Sequence, residues 1–118
     1  MILMGKRKGS HGAGTWSFPG GHLEWNETAG SCAARELLEE TGIRIDPLTF
    51  KKLTFTNDVF SVESKHYITL YMEAPWNGEE PRVLEPGKCD RWAWFAVPPE
   101  PLFLPVENLL ADGFKLWG

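Results

Sequence analysis

The feature that most constrains this chain is an acidic, helix-forming segment that follows a Gly-Gly turn. Residues 21 to 43 read GHLEWNETAGSCAARELLEETGI. The interior of this segment is rich in Ala, Leu, Glu and Arg, which are good helix formers. Gly42 follows the last helical position, as a left-handed C-terminal stop would. The segment therefore predicts a helix from about Thr28 to Thr41.

Three glutamates of this helix share one face. Glu36 and Glu40 are four positions apart and Glu36 and Glu39 are three apart, so their side chains are neighbours. Like charges at this spacing repel by a few tenths of a kcal/mol, and the helix dipole disfavours anions at the C-terminal end. A solvated helix face is one interpretation. A divalent metal with a phosphate-bearing ligand is the other, because Mg²⁺ takes one or two carboxylates plus phosphates and water.

Residues beside the three glutamates support this second interpretation. Arg35 can reach Glu39 one turn further on, or Glu27 upstream, and we expect it to hold the loop and orient an acid. Gly20 and Gly21 let the backbone pass close to a ligand or metal, and a glycine carbonyl there could be a further ligand.

Composition limits the class of protein. The 118 residues suit a single domain over 1–118, and 42% of them are hydrophobic, which is enough for a packed core. The net charge is −4 and no basic run extends beyond Lys6–Lys8, which argues against a large nucleic-acid partner. Apolar runs are too short for a membrane span. Two cysteines without a signal peptide predict reduced thiols and a cytoplasmic location.

The rest of the chain is predicted to be mainly strands. The segment from 66 to 73 alternates, so Ile68 and Leu70 face one way while Tyr67 and Thr69 face the other. Further β-like segments lie at residues 1–8, 16–18, 48–60 and 90–97, and a short helix is predicted at 106–110. One helix between β segments, followed by more strands and a terminal helix, predicts an α/β or α+β layered sandwich.

The residues in and around the acidic helix fit the pattern G-x5-E-x7-R-E-U-x-E-E-x-G-U, where U is aliphatic. They are Gly21, Glu27, Arg35, Glu36, Leu37, Glu39, Glu40, Gly42 and Ile43. This spacing resembles the signature of the Nudix hydrolases. Stretches such as GKRKGS and HYIT are similar to the nucleotide triphosphate diphosphatase subgroup, whose members act on 8-oxo-dGTP, dihydroneopterin triphosphate or NADH.

The resemblance implies an α/β/α sandwich with a mixed sheet. It also implies a Mg²⁺-dependent or Mn²⁺-dependent pyrophosphohydrolase, in which water attacks a purine or oxidised purine nucleoside triphosphate directly and releases pyrophosphate. The metal would be held by Glu36, Glu39, Glu40 and the carbonyl of Gly20. Either Glu39 or Glu40 would deprotonate the attacking water, Arg35 would support them, and Arg7 would face the phosphates.

Other residues have two interpretations each. Phe18 could line a base pocket by stacking or belong to the core. Thr69 could hydrogen-bond a base or be satisfied within the sheet. Trp92 and Trp94 lie two positions apart on one strand face, and they are expected to make core contacts or contacts in a homodimer.

The chain also departs from the family pattern. Nudix domains usually begin with a strand before the segment that matches ILMGKRK, whereas this sequence starts at that segment, so the usual first strand is expected to be absent. Two alternatives to an active hydrolase stay open. One is a non-catalytic module that binds a nucleotide, and the other is a truncated, inactive domain.

Overall fold

The computed structural model describes residues 1 to 117 and has the expected combination of sheets and two helices. The strands are β1 (Ile2–Arg7), β2 (Trp16–Ser17), β3 (Lys51–Phe60), β4 (Lys65–Glu73) and β5 (Cys89–Phe95); the helices are α1 (Ala29–Thr41) and α2 (Leu104–Ala111), with a 3₁₀ turn at Pro47–Thr49. The α+β class is confirmed. No helix in this part of the chain is long and apolar enough to cross a membrane.

The strands form two separate antiparallel sheets. The first has the order β2-β1-β5, and the second is the β3–β4 hairpin. Within residues 1 to 117, parallel pairing is limited to a single bridge between Trp16 and Leu102. The mixed sheet implied by the family resemblance is therefore divided here. In this arrangement β1 is flanked on both edges, by β2 and β5, and so has no edge left for β4.

Helix α1 confirms the predicted helix and its stop signal. Its N-cap residue is Thr28, whose hydroxyl accepts a hydrogen bond from the backbone N–H of Ser31 at 3.1 Å. At the other end, Gly42 has φ 79° and its N–H donates to the carbonyl of Leu38 at 2.9 Å. A residue with a Cβ rarely adopts this backbone conformation, so glycine suits the stop.

The core lies between the three-stranded sheet and α2. Met4, Trp16 and Val106 are its buried centre. Helix α2 is longer than predicted, because Pro105 fits in its first turn, where a missing N–H costs nothing. The partly buried residues around the centre are Ile2, Phe18, Ala93, Phe95, Leu102, Phe103 and Trp117.

Strand β4 alternates as predicted, and its buried face is the polar and aromatic one. Tyr71 is buried and Tyr67 and Thr69 are half-buried, whereas Ile68 and Leu70 are more than half exposed. The inward face of the hairpin therefore carries hydroxyl groups.

Both Cys32 and Cys89 are free thiols, as expected.

Gly30 fixes the distance between α1 and the 3₁₀ turn. A Cβ built on Gly30 would lie 2.7 Å from the carbonyl oxygen of Pro47. We expect Gly30→Ala to lower the free energy of unfolding by about 1–2 kcal/mol, because the clash outweighs the helix propensity gained by alanine. Urea denaturation measures this change.

Gly87→Ala is the matched control, since nothing lies within 4 Å of a Cβ at that position. It should leave the unfolding midpoint almost unchanged. A Gly30→Ala protein as stable as the parent would show that the helix does not pack against Pro47 as closely as described.

Candidate active site

A network centred on Arg35 organises the acidic end of α1. Its Nε donates to Glu27 Oε2 at 2.7 Å. Its Nη1 donates to Glu36 Oε1 at 2.7 Å and to Glu39 Oε1 at 3.2 Å. Its Nη2 donates to the carbonyl of His22 at 3.1 Å. Both contacts predicted for Arg35, to Glu39 and to Glu27, are confirmed.

The network shifts the acid–base properties of its members. Hydrogen bonds from Arg35 are the main cause that lowers the pKa of Glu27 to about 2. The same bonds, led by the one to Glu27, raise the pKa of the Arg35 guanidinium. Arg35 thus ties the loop before the helix to the helix itself, and it offsets the repulsion among the carboxylates.

Glu40 lies outside this network and has a different environment. Its Oε1 accepts a hydrogen bond from the backbone N–H of Gly20 at 2.8 Å. Burial raises the pKa of Glu40 to about 7, although the Gly20 N–H opposes this, and the charges of Glu36 and Glu85 raise it further while Arg7 lowers it. Glu40 is therefore a partly desolvated carboxyl group without a direct cationic partner in the described chain.

The Gly20–Gly21 turn lies directly against the acids. A Cβ on Gly21 would overlap the carboxyl group of Glu36, so only glycine fits there without moving that side chain. Nothing lies within 4 Å of a Cβ at Gly20, and that residue is exposed. The turn therefore brings the backbone close to both Glu36 and Glu40.

The carboxylate and backbone oxygens around Glu36, Glu40 and the Gly20–Gly21 turn are suitable ligand atoms for a hard divalent cation that also binds water and substrate. The desolvated Glu40 next to Glu36 is a place where positive charge would be favourable. Among residues 1 to 117, no three His, Cys, Asp or Glu side chains are grouped closely enough to enclose a metal unaided. Glu36 and Glu39 both accept from Arg35 through Oε1, at 2.7 and 3.2 Å, whereas Glu40 has no such bond. Glu40, next to Glu36, is therefore the carboxyl group where a cation would be most favourable, and the metal-binding roles of Glu36, Glu39 and Glu40 stay predictions.

Arg7, at the end of β1, is held in a fixed position near these acids. Its Nε donates to the carbonyl of His11 at 3.0 Å, and its Nη1 lies 3.4 Å from the hydroxyl of Ser17. The guanidinium carbon lies 3.9 Å from the centre of the Phe103 ring. Burial lowers the pKa of Arg7, while the charge of Glu40 raises it. The two side chains therefore influence each other across the site.

Phe18 follows β2, and Thr69 lies on the inward face of β4. The Phe18 ring centre is 6.1 Å from that of Tyr71, and Phe18 also packs on the core. The hydroxyl of Thr69 donates to the carboxylate of Asp58. Both residues thus have structural partners, and their roles in base binding stay predictions.

Sequence reasoning missed the aromatic contacts that two loop histidines make with the strands and with Phe103. The ring of His11 lies 4.6 Å from that of Phe60 and 5.3 Å from that of Phe103, and the His22 ring stacks on Tyr67 at 5.7 Å. Alternation along β4 places Tyr67 on the inward face, but nothing local in the sequence indicates which loops reach it.

Asp58 was also missed. It is fully buried, on the inward face of β3. An aspartate two positions after Thr56 in an alternating strand was the available signal, because both side chains must point the same way.

The fold and the site together define an α+β domain whose acids, backbone amides and arginine suit phosphate chemistry.

Comparison with known proteins identifies the family. The model of the NUDIX domain matches residues 1–108, so the chain belongs to the NUDIX family. The Danio rerio "Oxidized purine nucleoside triphosphate hydrolase" is 45% identical over 47 residues, which cover 40% of this chain and 30% of that protein. The Escherichia coli "Phosphatase NudJ" is 49% identical over 43 residues, or 36% of this chain and 28% of that protein.

A solved structure extends the similarity over most of the chain. The MutT NUDIX hydrolase from Burkholderia pseudomallei superposes with a TM-score of 0.77 at 29% identity, covering 91% of this chain and 86% of that one. In contrast, the chain spans less than a third of the length of the two curated relatives above.

The raised pKa of Glu40 makes the metal-free protein sensitive to pH. A carboxyl group whose folded pKa exceeds its unfolded value favours folding at low pH, and this contribution is lost as pH rises from about 4.5 through about 7. With a chelator present, we expect the unfolding free energy of the parent protein to fall as the pH is raised from 5 to 8. The fall should be about 2–3 kcal/mol larger than in Glu40→Gln.

Chemical denaturation at the two pH values measures this difference. Glu80→Gln is the control, because Glu80 is exposed in a loop, and it should follow the parent. Parallel pH dependence in the parent and Glu40→Gln would show that Glu40 is not desolvated.

Proposed function

We propose that this chain is a Mg²⁺-dependent pyrophosphohydrolase that cleaves a nucleoside triphosphate to the monophosphate and pyrophosphate. The observation that carries the proposal is the placement of Glu36 and Glu40 against the Gly20–Gly21 turn, with Arg7 near enough to Glu40 for their charges to interact. Family membership supports hydrolysis of a phosphoanhydride as the reaction class.

The metal would be held by Glu36 and Glu40, with Glu39 and the carbonyl of Gly20 as further candidates, and Mn²⁺ could replace Mg²⁺. When bound, such an ion neutralises phosphate charge and acidifies water. Arg7 orients the phosphates, and the Arg35 network keeps Glu36 in position. Either Glu39 or Glu40 accepts the proton of the attacking water, and no covalent intermediate on the protein is needed.

The substrate we propose is a purine or oxidised purine nucleoside triphosphate, such as 8-oxo-dGTP, and the function a clearing of damaged nucleotides. The name of the Danio rerio relative supports this choice. The aromatic rings of Phe18, Tyr67 and His22 support it too, because Phe18 and His22 lie within two residues of Gly20–Gly21 in the sequence and could stack on a base. The two free thiols support a reducing compartment, for which we propose the cytoplasm.

Glu40→Gln tests the proposal. We expect the variant to keep its circular dichroism spectrum but to lose Mg²⁺-dependent release of pyrophosphate by roughly a hundredfold or more, because it removes a carboxylate that binds metal or accepts a proton. The assay compares dGTP, 8-oxo-dGTP, dihydroneopterin triphosphate, NADH and ADP-ribose. Glu80→Gln should turn over like the parent.

The remaining outcomes separate the alternatives. Unchanged turnover in Glu40→Gln would remove Glu40 from the mechanism. A parent protein that is stabilised by nucleotide but forms no product is a binding module. A parent that aggregates in light scattering and shows no protected amides is an inactive domain.

A further inference from the structure

The loop between β1 and β2 has one side chain that points inward. Residues 9–14 read GSHGAG, so only three of these positions carry a side chain. Ser10 and Ala13 are exposed, whereas the side chain of His11 is only 25% exposed. The contacts of His11 are therefore the main side-chain constraint on the middle of this loop.

The ring of His11 packs among aromatic rings of the hairpin and of the segment before α2. Its centre lies 4.6 Å from that of Phe60 and 6.5 Å from that of Tyr67, and 5.3 Å from that of Phe103. Within residues 1 to 117 its buried Nδ1 has no hydrogen-bond partner, and Oε2 of Glu63 lies 3.5 Å away. Burial lowers the pKa of the imidazole, which favours the neutral ring. The ring therefore packs as a flat apolar surface.

The same loop holds the side chain of Arg7. Its Nε donates to the backbone carbonyl of His11 at 3.0 Å. The guanidinium carbon lies 3.9 Å from the centre of the Phe103 ring, and His11 contacts that same ring edge to face. A Cβ on Gly12 would lie 2.7 Å from Phe103 and 3.2 Å from Arg7 Nε, so both groups lie close against the loop. His11 thus reaches Arg7 in two ways, through its carbonyl and through Phe103.

The ends of the loop are fixed independently of the His11 ring. The N–H of Arg7 donates to the carbonyl of Thr15 at 2.8 Å, and the N–H of Gly14 donates to the carbonyl of Arg7 at 2.8 Å. These bonds hold the backbone of Arg7 but not its guanidinium. Loss of the His11 ring should therefore free the guanidinium without opening the base of the loop.

We propose that His11 is a positioning residue for Arg7: its ring, packed against the hairpin and Phe103, fixes the carbonyl that orients the guanidinium toward phosphate. An arginine held in one orientation has less side-chain entropy to lose when an anion binds. Another flat aromatic ring of similar size should serve as well, because the ring nitrogen Nδ1 makes no hydrogen bond. This inference rests on the proposed function, since Arg7 is the residue proposed there to orient the phosphates.

The test compares kcat/KM for dGTP with Mg²⁺ in the 118-residue chain and in His11→Ala, His11→Phe, Arg7→Ala and the double variant of His11→Ala with Arg7→Ala. We expect His11→Ala to lower kcat/KM by about three- to tenfold, the size of one hydrogen bond that loses its geometry. His11→Phe should restore the parent value. The double variant should equal Arg7→Ala, because His11 acts through Arg7.

His66→Ala is the matched control. It also removes an imidazole from the hairpin region, but His66 is exposed on the outward face of β4. Its kcat/KM should equal that of the parent.

Three results would overturn the inference. They are a His11→Ala variant as active as the parent, a His11→Phe variant as impaired as His11→Ala, and a loss from His11→Ala that is equally large when Arg7 is already alanine. If His11→Ala fails to fold, His11→Leu replaces it in the same cycle, because leucine keeps apolar bulk without the flat ring. The same three results then apply.

A measurement without substrate separates this inference from the proposed function. If the parent hydrolyses no nucleotide, the proposed function fails by itself, and the NMR signal of the Arg7 Nε–H decides the inference. We expect this hydrogen to exchange with water slowly in the parent and in His11→Phe, and about tenfold faster or more in His11→Ala. Equal exchange in the parent and in His11→Ala contradicts the inference.

Discussion

The guanidinium of Arg35 donates to the carboxylates of Glu27, Glu36 and Glu39 and to the carbonyl of His22. One planar cation with fixed donor directions thus connects the loop before α1, at His22 and Glu27, to the glutamates of α1. Without it, the clustered carboxylates would repel one another, and the loop that carries the Gly20–Gly21 turn would have few ties to the helix. A lysine could not replace it, because an ammonium group lacks the planar fork.

Glu40 differs because Arg35 does not reach it. Its main described partner is the N–H of Gly20, and burial keeps its pKa near 7. The same helix therefore presents two carboxylates that Arg35 binds, Glu36 and Glu39, and one, Glu40, that it does not. Glu40 thus lies beside Gly20 and within the electrostatic influence of Arg7, and a metal bound there could neutralise a phosphate chain.

The parts predicted correctly from the sequence are those fixed by local rules. The bounds of α1 follow from Thr28 as cap and Gly42 as stop, and the contacts of Arg35 follow from helical spacing and a nearby loop. The division into two sheets depends on which strand edges meet, and the reach of His11 and His22 to β4 depends on loop paths, so neither is encoded locally. Asp58 lies between these cases, since alternation indicates its face but not its partners on β4 and α2.

The most direct test of the account is a crystal structure of the protein with Mg²⁺ and a non-hydrolysable purine nucleoside triphosphate. The account predicts an ion about 2.1 Å from carboxylate oxygens of both Glu36 and Glu40, with phosphate oxygens completing its shell and Arg35 still bound to Glu27. A bound nucleotide with those two carboxylates turned to bulk solvent and no ion between them would contradict it.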